Sequence, residues 1–95
     1  MELAVTGALV HWRGPAPFHF VPVPDEQCAA LEAVSGQASY GWGCIPVTAR
    51  IGGTRFTTSL FPKDGGYLVP VKAAVRVAER LDLGDEVTVQ LTVAV

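Results

Sequence analysis

The sequence predicts a small, mostly β barrel with two short α-helices, and three observations carry that expectation. Residues 45–51 and 54–60 alternate apolar and polar around Gly52-Gly53, the pattern of a tight hairpin. Residues 86–95 alternate again, with Val87, Val89, Leu91, Val93 and Val95 on one side. Elsewhere only two short stretches show helical spacing, one after Pro24 and one after Pro70.

Taken in order, Leu3 to Val10 is apolar and β-prone and reads as a first strand. The segment His11 to Pro17, with two prolines and a glycine, reads as a loop that breaks it. Phe18 to Val21 predicts a second strand, and Val21-Pro22-Val23-Pro24 cannot be a central one, because each proline lacks a ladder donor. Asp25 is placed to cap a helix whose buried face is Cys28, Leu31 and Val34 and whose stop is Ser35-Gly36. Residues 37–43 read as a loop anchored by Tyr40 and Trp42.

The hairpin register follows from the Gly52-Gly53 turn. It sets Ile51 against Thr54, Arg50 against Arg55, Ala49 against Phe56, Thr48 against Thr57 and Val47 against Thr58. Val47, Ala49, Ile51, Phe56 and Leu60 then face the core, while Thr48, Arg50, Arg55, Thr57 and Ser59 face outward. A second turn over residues 62–66 leads to a strand at Tyr67-Leu68-Val69. Val71, Ala74, Val75, Ala78 and Leu81 recur at helical spacing, Lys72 falls in the first turn of that helix, and residues 82–85 stop it.

The halves echo one another. Phe18 to Val23 precedes one helix as Gly66 to Val71 precedes the other, each containing Val-Pro-Val, so the sequence suggests two ββαβ pseudo-repeats. A duplicated unit would let two helices plug opposite ends of one barrel and leave few exposed edges.

Length and composition bound the rest. Ninety-five residues make one domain, 1–95, and a composition 49% hydrophobic and 17% charged argues against disorder. No apolar run approaches the ~20 residues that span a bilayer. The N-terminus lacks the layout of a signal peptide, so a cytoplasmic protein is the expectation. Cys28 and Cys44 read as small buried hydrophobes rather than a bridge or a reactive pair. The formal charge of −2 argues against broad nucleic-acid binding. Yet Arg50, Arg55, Lys63, Lys72 and Arg76 follow one another with a single acid, Asp64, among them.

The unit from Gly66 to Val93 is similar to the swapped-hairpin element of the AbrB and MazE transcription-factor barrels. Pro22-Val23-Pro24, Thr58-Ser59-Leu60, Gly65-Gly66-Tyr67-Leu68, Pro70-Val71-Lys72, Arg76 and Gly84-Asp85 cover nearly the whole chain. In that order they resemble the bacterial domain-of-unknown-function 1905 family. The resemblance implies an AbrB-like double-split β-barrel and lends no activity, because fold and function separate easily.

Among chemical features, Arg50 opposite Arg55 is the sharpest, since like charges across an antiparallel pair are destabilising. With Thr48, Thr57 and Ser59 beside them they would cradle a phosphate or carboxylate. The plain alternative is that both arginines extend into solvent or pair with an acid such as Asp64 or Glu79. Lys72 and Arg76, four apart on one face of the second helix, join the candidate set because a positive charge in its first turn opposes the helix dipole, the plain alternative being solvated side chains near an acid. His11 and His19 are too few for a metal site without further ligands, and Ser59 has no nucleophile elbow. No catalytic constellation, metal or cofactor is called for. The expected function is a non-enzymatic binding module for a small anionic ligand, as a monomer or homodimer. The alternatives are a protein-interaction or regulatory domain and, third, an AbrB-like DNA binder.

Overall fold

The computed structural model describes residues 1–12, 18–38, 44–63 and 65–94. Its elements are β1 (Glu2–Ala8), β2 (Val10–Trp12), β3 (Phe18–Pro22), α1 (Asp25–Ala38), β4 (Ile45–Ile51), β5 (Thr54–Lys63), β6 (Gly66–Val71), α2 (Ala73–Glu79) and β7 (Glu86–Val93). The expected loops at 13–17 and 39–43, with Tyr40 and Trp42, lie outside the described residues, as does Asp64.

Seven strands form one antiparallel sheet in the order β1-β7-β4-β5-β6-β3-β2, curled into a half-barrel. Its two outermost strands, β1 and β2, are consecutive in the chain and separated only by Leu9. The backbone of Leu9 is held by the loop before β7: its N–H donates to the Asp85 carbonyl at 2.9 Å and its carbonyl accepts from Gly84 N–H at 2.8 Å. His11 and Trp12, expected in a loop, therefore belong to a strand. Pairing with Phe18, His19 and Phe20 supplies the partner that local sequence could not reveal.

The central hairpin has the expected register throughout, from Ile45 opposite Leu60 to Ile51 opposite Thr54. Val47, Ala49, Ile51, Phe56 and Leu60 are all buried, together with Val87, Val89, Leu91 and Val93 of β7. Gly52 carries the turn at φ 58°, a conformation that costs an L side chain about 1–2 kcal/mol. β3 is flanked by β6 along residues 19–22 but by β2 only along 18–20, so Pro22 sits where one neighbour has ended.

Cys28 and Leu31 of α1 are buried and Val34 is half-buried, as the spacing requires. Burying a side chain such as Leu31, fully covered here, contributes about 1.5–3 kcal/mol. Two boundaries differ from expectation. Asp25 is already the first helical residue; the Pro24 carbonyl accepts from Gln27 N–H and Cys28 N–H, both at 3.0 Å, so Pro24 holds the cap position. The helix also runs through Ser35-Gly36 to Ala38, because a glycine costs a helix only ~1 kcal/mol and Gln37-Ala38 are good helix formers.

The second helix is shorter than its spacing implied. Val71 ends β6, Lys72 is the extended N-cap rather than a first-turn residue, and Arg80 closes the helix in the left-handed region at φ 54°. Only Val75 of α2 is buried; Ala74 and Ala78 are exposed because α2 touches the sheet mainly at β5. Asp85 acts as expected of a turn aspartate, its Oδ2 accepting from Asp82 N–H at 2.9 Å. Both cysteines are free, Cys28 buried with its thiol donating to the Val23 carbonyl at 3.4 Å, and Cys44 half-buried.

Candidate functional site

The strand order brings polar residues from four strands into two rows on the outer face. One row runs Ala4, Gln90, Arg50, Arg55 across β1, β7, β4 and β5, each residue a direct register partner of the next. The adjoining row runs Glu2, Thr92, Thr48, Thr57. Direct partners in an antiparallel ladder share a face. Arg50 and Arg55 therefore leave the same side of the sheet, and both are exposed.

These rows, Thr57 excepted, floor an open groove of about 660 Å³. Arg50 Nη2 donates to Gln90 Oε1 at 2.9 Å, which fixes one guanidinium against the floor. Arg55 makes no hydrogen bond or ion pair among the described residues. Glu79, one acid that could have neutralised the arginines, accepts instead from Thr54 Oγ1 at 2.6 Å. The groove thus offers two guanidiniums, the Thr48 and Thr92 hydroxyls and the Gln90 amide, against one carboxylate, Glu2. Among the described residues its lining contains no imidazole or thiol. Such a surface can bind an oxyanion by charge-assisted hydrogen bonds, and it presents no nucleophile with an adjacent base.

The candidates named from sequence are not all gathered here. Arg50 and Arg55 line the groove; Thr57 and Ser59 continue outward along β5 beyond it, and Lys72 and Arg76 belong to the α2 region. Glu2, Ala4, Gln90 and Thr92 were missed, since only the β1–β7–β4 pairing places them beside the arginines.

A family model described as Domain of unknown function (DUF1905) matches residues 6–91. The chain belongs to this family. The DUF1905 match takes in every strand of the groove floor, though Glu2 and Ala4 of β1 and Thr92 of β7 lie just beyond its limits. No curated protein matches the chain. Among the described residues no three His, Cys, Asp or Glu side chains cluster as metal ligands, and no helix is long and apolar enough to cross a membrane.

Proposed function

We propose that this DUF1905 protein is a non-enzymatic cytoplasmic binding module for a small anion, seated on the Arg50–Arg55 pair of the outer groove. The observation that carries the reading is the register itself: two guanidiniums face each other across β4 and β5, and only Arg50 has a partner among the described residues. A sheet keeps a repulsive pair at a cost, and a bound phosphate or carboxylate removes that cost while using both forks.

The test is a thermal-shift titration with inorganic phosphate and short dicarboxylates, comparing the wild type with Arg50→Ala/Arg55→Ala. A ligand at tenfold its Kd stabilises the folded state by about 1.4 kcal/mol, roughly 6–11 °C in a domain of this size. The shift should vanish in the double variant. An equal shift in both proteins, or none in either, sinks the reading.

The finer architecture supports placing a site there. We infer a double-split barrel made of two ββαβ halves, and the pairing is what a two-fold relation would produce. Val21 of β3 stands opposite Val69 of β6, separated by the interval that separates the two echoed prolines, Pro22 and Pro70. β1 pairs with β7 and β2 with β3; likewise the two ends of the long β5 pair with β4 and with β6. The last strands of the halves, β4 and β7, pair with each other through Arg50 and Gln90, the relation expected if the groove straddles that axis.

A second reading, a protein-interaction or regulatory domain, is favoured by one feature. Phe18 packs against Phe20 and Phe61 with ring centroids 5.4 and 5.3 Å apart and planes tilted by 45° and 58°, all three half-buried and outside the main core. Light scattering separates the readings: a stable dimer broken by Phe20→Ser would support the second. DNA binding is the third, and an affinity for duplex DNA falling steeply with salt would revive it.

A further inference from the structure

The outer groove carries opposite charges on its two sides. Arg50 and Arg55 belong to its β4 and β5 side, and Glu2 to its β1 side. Between them runs β7, which contributes two neutral polar residues, Gln90 and Thr92. Neighbouring strands lie about 4.8 Å apart, and a two-residue step along a strand covers about 6.7 Å. Arg50 and Glu2, two strands and two residues apart in the register, therefore stand roughly 12 Å apart at the backbone. A groove of about 660 Å³ is in the range that holds a whole small molecule, so an oxyanion on the arginines fills one side of it only.

The unused polar groups lie toward Glu2. On the other side of the Ala4–Gln90 row, the Thr6 and Thr88 hydroxyls satisfy each other at 2.9 Å. On the Glu2 side, the Thr48 and Thr92 hydroxyls and the Glu2 carboxylate have no hydrogen-bond or ion-pair partner among the described residues. The Met1 ammonium donates to the Val93 carbonyl at 2.8 Å rather than to Glu2. Glu2 and Arg50 thus line one groove without closing an ion pair, and both charges stay available to a ligand that spans them.

We infer that this ligand is a small zwitterion, an oxyanion joined by a short spacer to a primary ammonium, with the ammonium on Glu2; the inference rests on the proposed anion site at Arg50 and Arg55. The forked guanidinium donors take the oxyanion, and the Glu2 carboxylate accepts from the ammonium. Gln90 and Thr92, between the two charges, suit a polar spacer. The same pattern sets selectivity. Glu2 repels a plain phosphate and attracts an aminoalkyl phosphate, so its removal moves the two affinities in opposite directions.

3-Aminopropyl phosphate and 3-hydroxypropyl phosphate are the probes. They differ in the ammonium alone, and a three-carbon spacer together with two long side chains covers the separation of Arg50 from Glu2. Isothermal titration at neutral pH and low salt compares wild type, Glu2→Gln and Arg50→Ala/Arg55→Ala. Wild type should bind the amino compound about two- to fivefold tighter, the worth of one exposed ion pair. Glu2→Gln should bring that ratio to one or below, weakening the amino compound while tightening the hydroxy compound. The arginine double variant should lose both. Equal affinities in wild type, or tighter binding of the hydroxy compound, overturn the zwitterion and leave the anion site standing. A preference for the amino compound that survives Glu2→Gln overturns it too, by placing the ammonium elsewhere. Binding of neither compound to wild type, or of both to the arginine variant, is instead a failure of the anion reading, and the inference falls with it.

Discussion

Thr54 Oγ1 donates to Glu79 Oε2 at 2.6 Å, and the same carboxylate lies where a Cβ on Gly52 would have to go. The hairpin turn and the end of α2 are therefore docked through one acid. Gly52→Ala should destabilise the protein by about 2–3 kcal/mol, from the left-handed backbone and the displaced Glu79 together. Urea unfolding would measure it. Gly53→Ala, where added bulk meets nothing, is the control and should cost less.

Arg55→Glu is expected to act in opposite directions on stability and on binding. It converts the repulsive pair with Arg50 into an attractive one, so the unliganded protein should gain roughly 0.2–1 kcal/mol. It also places a carboxylate where the anion would sit. Phosphate should then give no thermal shift in a variant whose own melting point is equal to or above that of the wild type. A variant that is less stable than wild type contradicts the assigned register chemistry.

The hairpin was legible because three signals agreed on it: alternation, a two-glycine turn and β-branched residues. Local patterning says which face of a strand is buried but not which strand lies beside it. That is why Arg50 and Arg55 were found together while Gln90, Thr92 and Glu2, brought in by long-range pairing, were not. The same limit hid the β2 strand, whose three residues are held by β3 and have little strand pattern of their own. For α2, helical spacing ran on through Val71 and Leu81 because a strand end and a turn happened to place apolar residues in phase with it.

Among the described residues Glu2 is the single acid in the groove lining, in the row next to Arg50 and Gln90. Its charge opposes an incoming anion across a solvent-exposed gap, where screening leaves only part of the Coulomb energy. Glu2→Gln should therefore tighten phosphate binding a few-fold at low salt, with the gain shrinking as sodium chloride is raised. Isothermal titration at two salt concentrations reads both effects. An unchanged Kd at low salt would place the anion away from this groove.

His19 gives stability a pH dependence whose sign can be worked out. Burial, Arg76 and His11 disfavour its protonated form in the folded state, so its folded pKa lies below the 6.5 of an unfolded chain. Below 6.5 the unfolded state binds the proton first, and stability rises with pH wherever the unfolded state holds more protons. The contribution is thus fully present above pH 6.5 and is lost as the pH falls through the folded value. Carboxylates begin to titrate nearer pH 4. Melting temperatures between pH 7.5 and 5 should fall in the wild type and fall less in His19→Gln. Arg76→Gln, which removes the second-largest cause, should flatten the profile in part, whereas Arg80→Gln should leave it as in the wild type. Identical profiles for wild type and His19→Gln would show that this imidazole titrates alike in the folded and unfolded chain, and that the three cations are not close enough to sense one another.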